Sequence, residues 1–195
     1  RRYGAHGTSH QFVSEAVTEY VGRAGLKQIV LHLGNGASVS AVVNGKAVDT
    51  SMGLTPLEGL VMGTRPGDVD PGLIIHLIRD RGMSPEDVST LLNRKSGLEG
   101  LSGARDFRAL LEGVDDDDTD AVLTYDVVIH RLRRYIGGYW AVLGNVDAIT
   151  FPAGVGENVA RLRADSLATL GQWGVEIDQD ANENGSGERL ISTPD

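Results

Sequence analysis

A chain of 195 residues, 41% of them hydrophobic, is long enough for one large domain with a substantial core. Its formal charge of −9 argues against nucleic acid as a main partner, and the absence of cysteine removes disulfide frameworks and thiolate metal sites. No apolar run approaches the length of a membrane span and no signal peptide opens the chain, so the expectation is a cytoplasmic protein with no membrane partner.

The chain begins with Arg1 rather than Met and stops at Thr193-Pro194-Asp195, just after a short β-like run, Arg189-Leu190-Ile191. It reads as a piece of a longer protein. The lead RRYGAHGTSH is polar and punctuated by glycine. Thr8 or Ser9 is expected to cap a helix over Gln11 to Arg23, with Phe12, Val13, Ala16, Val17, Tyr20 and Val21 on one apolar face. His6 and His10 stand four apart, but Gly7-Thr8-Ser9 supplies no glutamate between them, so the zinc-protease pattern fails. His6 lies just ahead of the helix N-terminus, where an anion would also sit.

The stretch from Ile29 to Gly72 organises the rest. Ile29-Val30-Leu31 runs into His32-Leu33-Gly34-Asn35-Gly36, and a second strand pattern, Ser38 to Val43, turns at Asn44-Gly45. Asn-Gly between two β-type runs is the strongest short hairpin signal. A third run, Lys46 to Met52, leads to a glycine-rich segment carrying Arg65, Asp68 and Asp70. Three antiparallel strands therefore bring two glycine-rich loops to one end of a sheet, with backbone N–H groups open to an anion.

Pro71 starts a short helix over Gly72 to Arg81, and Ser84 with Asp87 caps another over Pro85 to Lys95. Ser96 to Gly103 reads as a loop, with a short helix from Arg105 to Leu111. Asp115 to Asp118 reads as a solvated lead-in to one long helix, Thr119 to Leu143. Gly137-Gly138 interrupts that helix and would permit close packing or a bend. Its Arg131, Arg133, Arg134, Tyr135, Tyr139 and Trp140 suit a subunit contact, with core packing as the default. A strand, Ala148 to Phe151, then a glycine loop to Asn158 and a helix from Val159 to about Leu170 form a nucleotide-binding arrangement. Gly154-x-Gly156 with Glu176 matches a dinucleotide fingerprint only weakly, because Val159 occupies the third glycine position.

No Gly-x-Ser-x-Gly elbow and no Gly-Lys-Ser/Thr occur. Phosphoryl transfer without a P-loop fits best, since that chemistry asks mainly for positioning and positive charge, which His6, Arg65 and backbone N–H groups supply.

Five motifs carry a resemblance: RRYGAHGTSH at 1–10, HLGNGASVSAV at 32–42, DTSMGLTPLEGLVMGTRPGDVDPG at 49–72, SGLEGLSGARDFR at 96–108 and GVGENV at 154–159. With them the chain resembles the acetate kinase (acetokinase) family, of the acetate and sugar kinase, Hsp70 and actin superfamily. The resemblance implies an α/β, actin-like ATPase (ribonuclease H-like) domain with a mixed sheet flanked by helices. It implies reversible transfer of the γ-phosphoryl of ATP to acetate, giving acetyl phosphate and ADP with Mg²⁺, in the interdomain cleft of a homodimer.

Carried over by motif, His6 steadies the phosphoryl group and Arg65 lies between acetate and the γ-phosphoryl. His32, Gly34, Asn35 and Gly36 match the phosphate loop. Asp106, Phe107 and Arg108, with Gly154, Val155, Gly156, Glu157 and Asn158, match the nucleotide pocket. The implied domain is mostly the second, nucleotide-binding and dimer-forming one, with the first domain, the extreme C-terminus and most Mg²⁺ ligands outside residues 1–195. No metal ligand is assigned within it. Two positions depart from the family. Ala5 stands where phenylalanine is frequent, beside the acetate pocket, and Pro152-Ala153 replaces the usual Thr-Gly before Gly154. A propionate or other short-chain carboxylate kinase, and a nucleotide-binding or dimerisation module without catalysis, are the alternatives.

Overall fold

The structure, a computed structural model, describes residues 2–193. Its centre is a four-stranded mixed sheet of β1 (Lys27–Leu33), β2 (Ala37–Val43), β3 (Lys46–Thr50) and β4 (Ala148–Thr150). The order is β3-β2-β1-β4, with β2 antiparallel to both β1 and β3 and with β4 parallel to β1. The expected hairpin turns at Asn44 and Gly45, both with positive φ.

Side chains alternate across β1. Ile29, Leu31 and Leu33 enter the core, while Gln28, Val30 and His32 pair across β2 with Val42, Ser40 and Ser38 on the opposite face. Helix α6 (Thr119–Leu143) covers the first face, burying Val128, Leu132, Ile136 and Tyr139. It is continuous, and a Cβ built on Gly137 or Gly138 would meet nothing within 4 Å, so neither close packing nor a bend requires those glycines.

Helix α1 (Gly7–Val21) covers the second face, but not with the expected apolar stripe. Its buried residues are His10 and Ser14, while Phe12 and Tyr20 are 66% and 72% exposed. The strands dictate this. Gln28, Ser38 and Ser40 are buried polar groups that need hydrogen-bond partners. Gln28 Nε2 accordingly donates to Ser14 O (3.0 Å) and Thr18 Oγ1 (3.2 Å).

The remaining helices are α2 (Pro71–Arg79), α3 (Pro85–Arg94), α4 (Gly97–Ser102), α5 (Phe107–Asp115), α7 (Ala153–Asn158), α8 (Ala160–Leu167) and α9 (Gln179–Asn184). Asp70 caps α2, Ser84 and Asp87 form a capping box on α3, and Asp118 at the end of the aspartate run caps α6. The β-like run near the C-terminus amounts to one bridge, Ile177 to Ser192. Pro194 and Asp195 lie outside the described residues.

Candidate active site

The β1–β2 turn and the segment after β3 meet beside the start of α1. His6 occupies the N-cap position of α1 without capping it by its side chain. Ser9 does not cap either. Its Oγ lies 2.8 Å from His32 Nδ1, so the seryl side chain is spent on β1. His32 in turn stacks on His6, ring centroids 3.9 Å apart and planes within 13°. His6 Nδ1 is 2.7 Å from Ser38 Oγ, which also lies 2.8 Å from His10 Nε2.

The other nitrogen of His6 faces Gly36 together with the guanidinium of Arg65. A Cβ on Gly36 would sit 3.6 Å from His6 Nε2 and 2.8 Å from Arg65 Nη2, so a glycine is what admits both groups here. Burial, then the neighbouring His32 and Arg65, lower the His6 pKa to about 4. Burial does the same to His10, also to about 4. His32 is lowered by burial, with Glu157 opposing. Three neutral imidazoles thus line the start of α1 at neutral pH.

Arg65 is not tied to the aspartates that follow it. Asp68 accepts from Gly59 N (2.9 Å) and Tyr135 OH (3.0 Å) and pairs with Arg131 (3.4 Å). Asp70 accepts from Gly72 N at the head of α2. Arg65 Nη1 donates to Pro56 O (2.6 Å), and among the described residues no carboxylate pairs with its fork. Burial lowers its pKa, yet a guanidinium stays charged.

The segment 96–103, expected as a loop, contains α4, and its N-terminus clasps the Arg65 loop. Ser96, Leu98 and Glu99 N–H groups donate to the carbonyls of Thr64 (3.1 Å), Met62 (3.0 Å) and Gly63 (2.9 Å). Gly97 sits between them at φ 63°, where a Cβ would run into the Met62 carbonyl. The Gly97 backbone therefore passes against the Arg65 loop with no room for a side chain.

Gly34, Asn35, Met62, Gly63, Asp106, Phe107 and Val155 line one cleft, which joins the expected phosphate loop to part of the expected nucleotide set. Asp106 spends its carboxylate capping α5, accepting from Arg108 N (3.0 Å) and Ala109 N (2.9 Å). Phe107 is buried beside Tyr125, ring centroids 6.2 Å apart, and Arg108 is exposed. Residues 154–158 are not an open loop but lie in α7. Gly154, Gly156, Glu157 and Asn158 do not line that cleft, nor does Arg108. Glu157 accepts from Ala153 N (2.9 Å) and Asn158 donates to Gly154 O (2.8 Å), so both brace α7 itself.

Sequence reasoning missed Arg163. It is 3% exposed, donates to the Gly156 and Glu157 carbonyls (both 2.8 Å), and reaches Asn182 Oδ1 (2.7 Å) and O (2.6 Å). It holds the end of α7 against α9. An arginine within a helical pattern carries no signal for this, since the contact depends on how α9 returns. Ser38 and His10 were missed as well. His32 and Ser38 pair across β1 and β2, whose connection is Gly34-Asn35-Gly36, so the signal that points to Ser38 is that short glycine turn and not Asn44-Gly45.

The chain matches the Acetokinase family over residues 1–195. It is 55%, 56% and 57% identical to acetate kinases of Corynebacterium aurimucosum, Corynebacterium jeikeium and Streptomyces avermitilis, all of the chain aligning with 49–50% of each relative. The chain belongs to the acetokinase family. It superposes on the crystal structure of Porphyromonas gingivalis acetate kinase with a TM-score of 0.94 at 41% identity, covering 100% of this chain and 50% of that one. A propionate kinase from Francisella tularensis gives 0.93 at 40%, with the same coverage. The mixed sheet flanked by helices is thus the actin-like ATPase fold of these acetokinase-family neighbours. The chain spans about half the length of the acetokinases it matches.

Family membership implies Mg²⁺, and the fit can be tested here. Among the described residues no three His, Asp or Glu converge to hold a metal ion.

Proposed function

We propose that this chain is the nucleotide-binding, dimer-forming half of a two-domain kinase that moves the γ-phosphoryl of ATP reversibly onto acetate, giving acetyl phosphate and ADP. The observation that carries this reading is the meeting of His6 Nε2 and a guanidinium free of carboxylates over Gly36, next in sequence to Gly34 and Asn35, which line a cleft with Asp106, Phe107 and Val155. Phosphoryl transfer develops charge on the equatorial oxygens of the moving group, so fixed donors beside it do most of what a protein can do. His6 is neutral and offers one N–H. Arg65 offers a planar fork, suited to bridging a carboxylate and a phosphoryl oxygen. The Asn35 turn faces the phosphates, and Asp106 to Arg108 with α7 hold the adenosine.

The other half of the cleft, with the Mg²⁺ ligands, belongs to the remaining length that the relatives have and this chain does not. Dimerisation is supported by α2, which buries none of its residues although Leu73, Ile75 and Ile78 are apolar. No helix among the described residues is long and apolar enough to cross a membrane, which suits the cytoplasmic setting we infer. A longer carboxylate is the second reading, favoured by the propionate kinase among the structural neighbours. One methylene separates the two substrates by only about 1–3 kcal/mol.

The test is ATP-dependent acetyl phosphate formation by the full-length protein, with propionate as competitor. Acetate turnover at the higher kcat/KM is expected, and none from residues 1–195 alone, where half the cleft is missing. Absence of any carboxylate phosphorylation by the full-length protein would overturn the reading.

A further inference from the structure

We propose that Ser38 is a positioning residue that holds His6 in its Nε2–H tautomer, so that this N–H points over Gly36, with His10 setting the direction of the hydrogen-bond chain. Ser38 is fully buried on β2. Its hydroxyl has three partners: His6 Nδ1 at 2.7 Å, His10 Nε2 at 2.8 Å and the His6 backbone N–H at 3.4 Å. A hydroxyl has one proton and two lone pairs. It therefore donates to one imidazole and accepts from the other, in one of two directions.

His10 decides which. It is 3% exposed, and its Nδ1 is buried with no partner. Were the proton on that nitrogen, a buried N–H donor would be orphaned, which folded proteins avoid more strictly than a bare acceptor. The proton of His10 is thus on Nε2 and is given to Ser38. Ser38 then donates to His6 Nδ1, and the His6 proton is left on Nε2, the usual way in which one ring nitrogen's partner sets the other's state.

The opposite direction would turn a lone pair of His6 toward the space that Arg65 shares above Gly36. Arg65 Nη1 donates to Pro56 O, and no hydrogen bond joins the guanidinium to His6 Nε2 to use that lone pair. With Nε2–H outward, two donors converge on one space, the arrangement an anionic oxygen takes. The low pKa of His6 and His10, about 4 for each, keeps both rings neutral and the relay intact at neutral pH.

The catalytic meaning of this relay rests on the kinase reading above; the tautomer does not. Long-range ¹H–¹⁵N correlation on the histidine-labelled 195-residue chain reads each nitrogen directly. His6 and His10 should both carry the proton on Nε2, with His6 Nδ1 at the shift of a hydrogen-bonded acceptor. In Ser38→Ala that Nδ1 resonance should move toward a free acceptor, and in Ser38→Thr, which keeps the hydroxyl, it should return. A proton on Nδ1 of His6 in the wild type, or a His6 Nδ1 shift indifferent to Ser38→Ala, overturns the proposal. Should Ser38→Ala fail to fold, the wild-type spectrum decides alone.

In the full-length protein Ser38→Ala should lower kcat roughly 10-fold or more, below the ~10⁴-fold that a fully wrong tautomer costs in a serine protease, with KM for ATP little changed. Unaltered kcat also overturns it. A full-length protein without carboxylate kinase activity would remove the proposed function and leave the tautomer measurement standing.

Discussion

The two faces of the sheet are built on opposite principles. Toward α6 the strands present Ile29, Leu31, Leu33 and Val39, and the helix answers with Leu132, Ile136 and Tyr139. Toward α1 they present Gln28, His32, Ser38 and Ser40 among the buried Val30 and Val42, and the helix answers Ser38 with His10, Gln28 with Ser14 and Thr18, and His32 with Ser9. The first face buries apolar area, which is non-directional and forgiving of detail. The second adds directional bonds, which tie Gln28 Nε2, His32 and Ser38 to named partners. Stability is concentrated on one side and the orientation of the candidate catalytic groups on the other.

A pair of substitutions breaks that comparison most sharply if it is wrong. Leu132→Ala opens a cavity at a residue 2% exposed and should cost roughly 2–5 kcal/mol. Its signature is a lower Tm with kcat per folded molecule unchanged. Arg65→Lys and Arg65→Ala should do the reverse in the full-length protein. Each should lose roughly 10²–10³-fold in kcat, the scale of one preorganised donor, with Tm scarcely moved, since Arg65 braces nothing but the Pro56 carbonyl. Near-normal kcat in the lysine variant, or a lost fold in the alanine one, would make Arg65 a loop brace.

The same contrast decides what the sequence could disclose. The Asn44-Gly45 hairpin, the 25-residue α6, the helix opened by Pro71 and the cap at Ser84 follow from local rules, and all are present. Hydrophobic periodicity assumes an apolar partner, whereas the apolar stripe of α1 faces outward because the strand face the helix meets carries Gln28, Ser38 and Ser40. The sequence pattern predicts loops where α4 and α7 stand, because glycines at 97, 100, 154 and 156 discourage helix in isolation. Tertiary bonds supply what propensity lacks, from the Met62 and Gly63 carbonyls to α4 and from Arg163 to α7. Asn35, His6 and Arg65 were legible as types at motif positions. The meeting of His6 and Arg65 over Gly36 was not, since it needs the α4 clasp.

The polar face should also be the acid-sensitive one. His10 is buried and its pKa falls from 6.5 to about 4 on folding, mainly by burial. Between those values the unfolded chain binds a proton that the folded chain refuses. Stability from this group is therefore complete above about pH 6.5 and drains as pH falls toward 4, on the order of 1 kcal/mol per pH unit. His6 acts in the same direction. Tm followed from about pH 7 to about pH 5 should fall, and His10→Gln should flatten the curve. Parallel curves for the two proteins would show that His10 is not the proton acceptor.

Gly154 separates ligand from fold on a smaller scale. It is an exposed residue of α7, and a Cβ there would meet nothing within 4 Å. Gly154→Leu should leave Tm unchanged or slightly raised, because glycine inside a helix costs roughly 0.5–1 kcal/mol relative to alanine. If adenosine lies against α7, the same change should weaken ATP binding to the full-length protein by about 10-fold, readable by calorimetry. Unaltered affinity would move the nucleotide away from α7 and toward the cleft at Asp106 and Phe107.

One residue earlier, Ala153 holds φ 73°, one of three non-glycine residues with positive φ among those described. An L side chain there crowds the backbone by roughly 1–2 kcal/mol. The position is fixed all the same. Ala153 N–H donates to Glu157 Oε1 (2.9 Å), Leu33 N–H donates to Pro152 O (3.0 Å), and Arg163 anchors the Gly156 and Glu157 carbonyls. The strain is thus imposed from both ends, by β1 and by α8. Ala153→Gly removes the crowding but gives the unfolded chain more freedom, worth roughly 0.4–1 kcal/mol the other way. The net expectation is a gain of about 0–1.6 kcal/mol, seen as a small rise in Tm. Gly156→Ala is the internal control, since its Cβ would lie 2.7 Å from the Phe151 carbonyl and must destabilise. A drop in Tm for Ala153→Gly would mean that the left-handed turn is not held by its neighbours, and that α7 relaxes to an ordinary helix start when the side chain is free to choose.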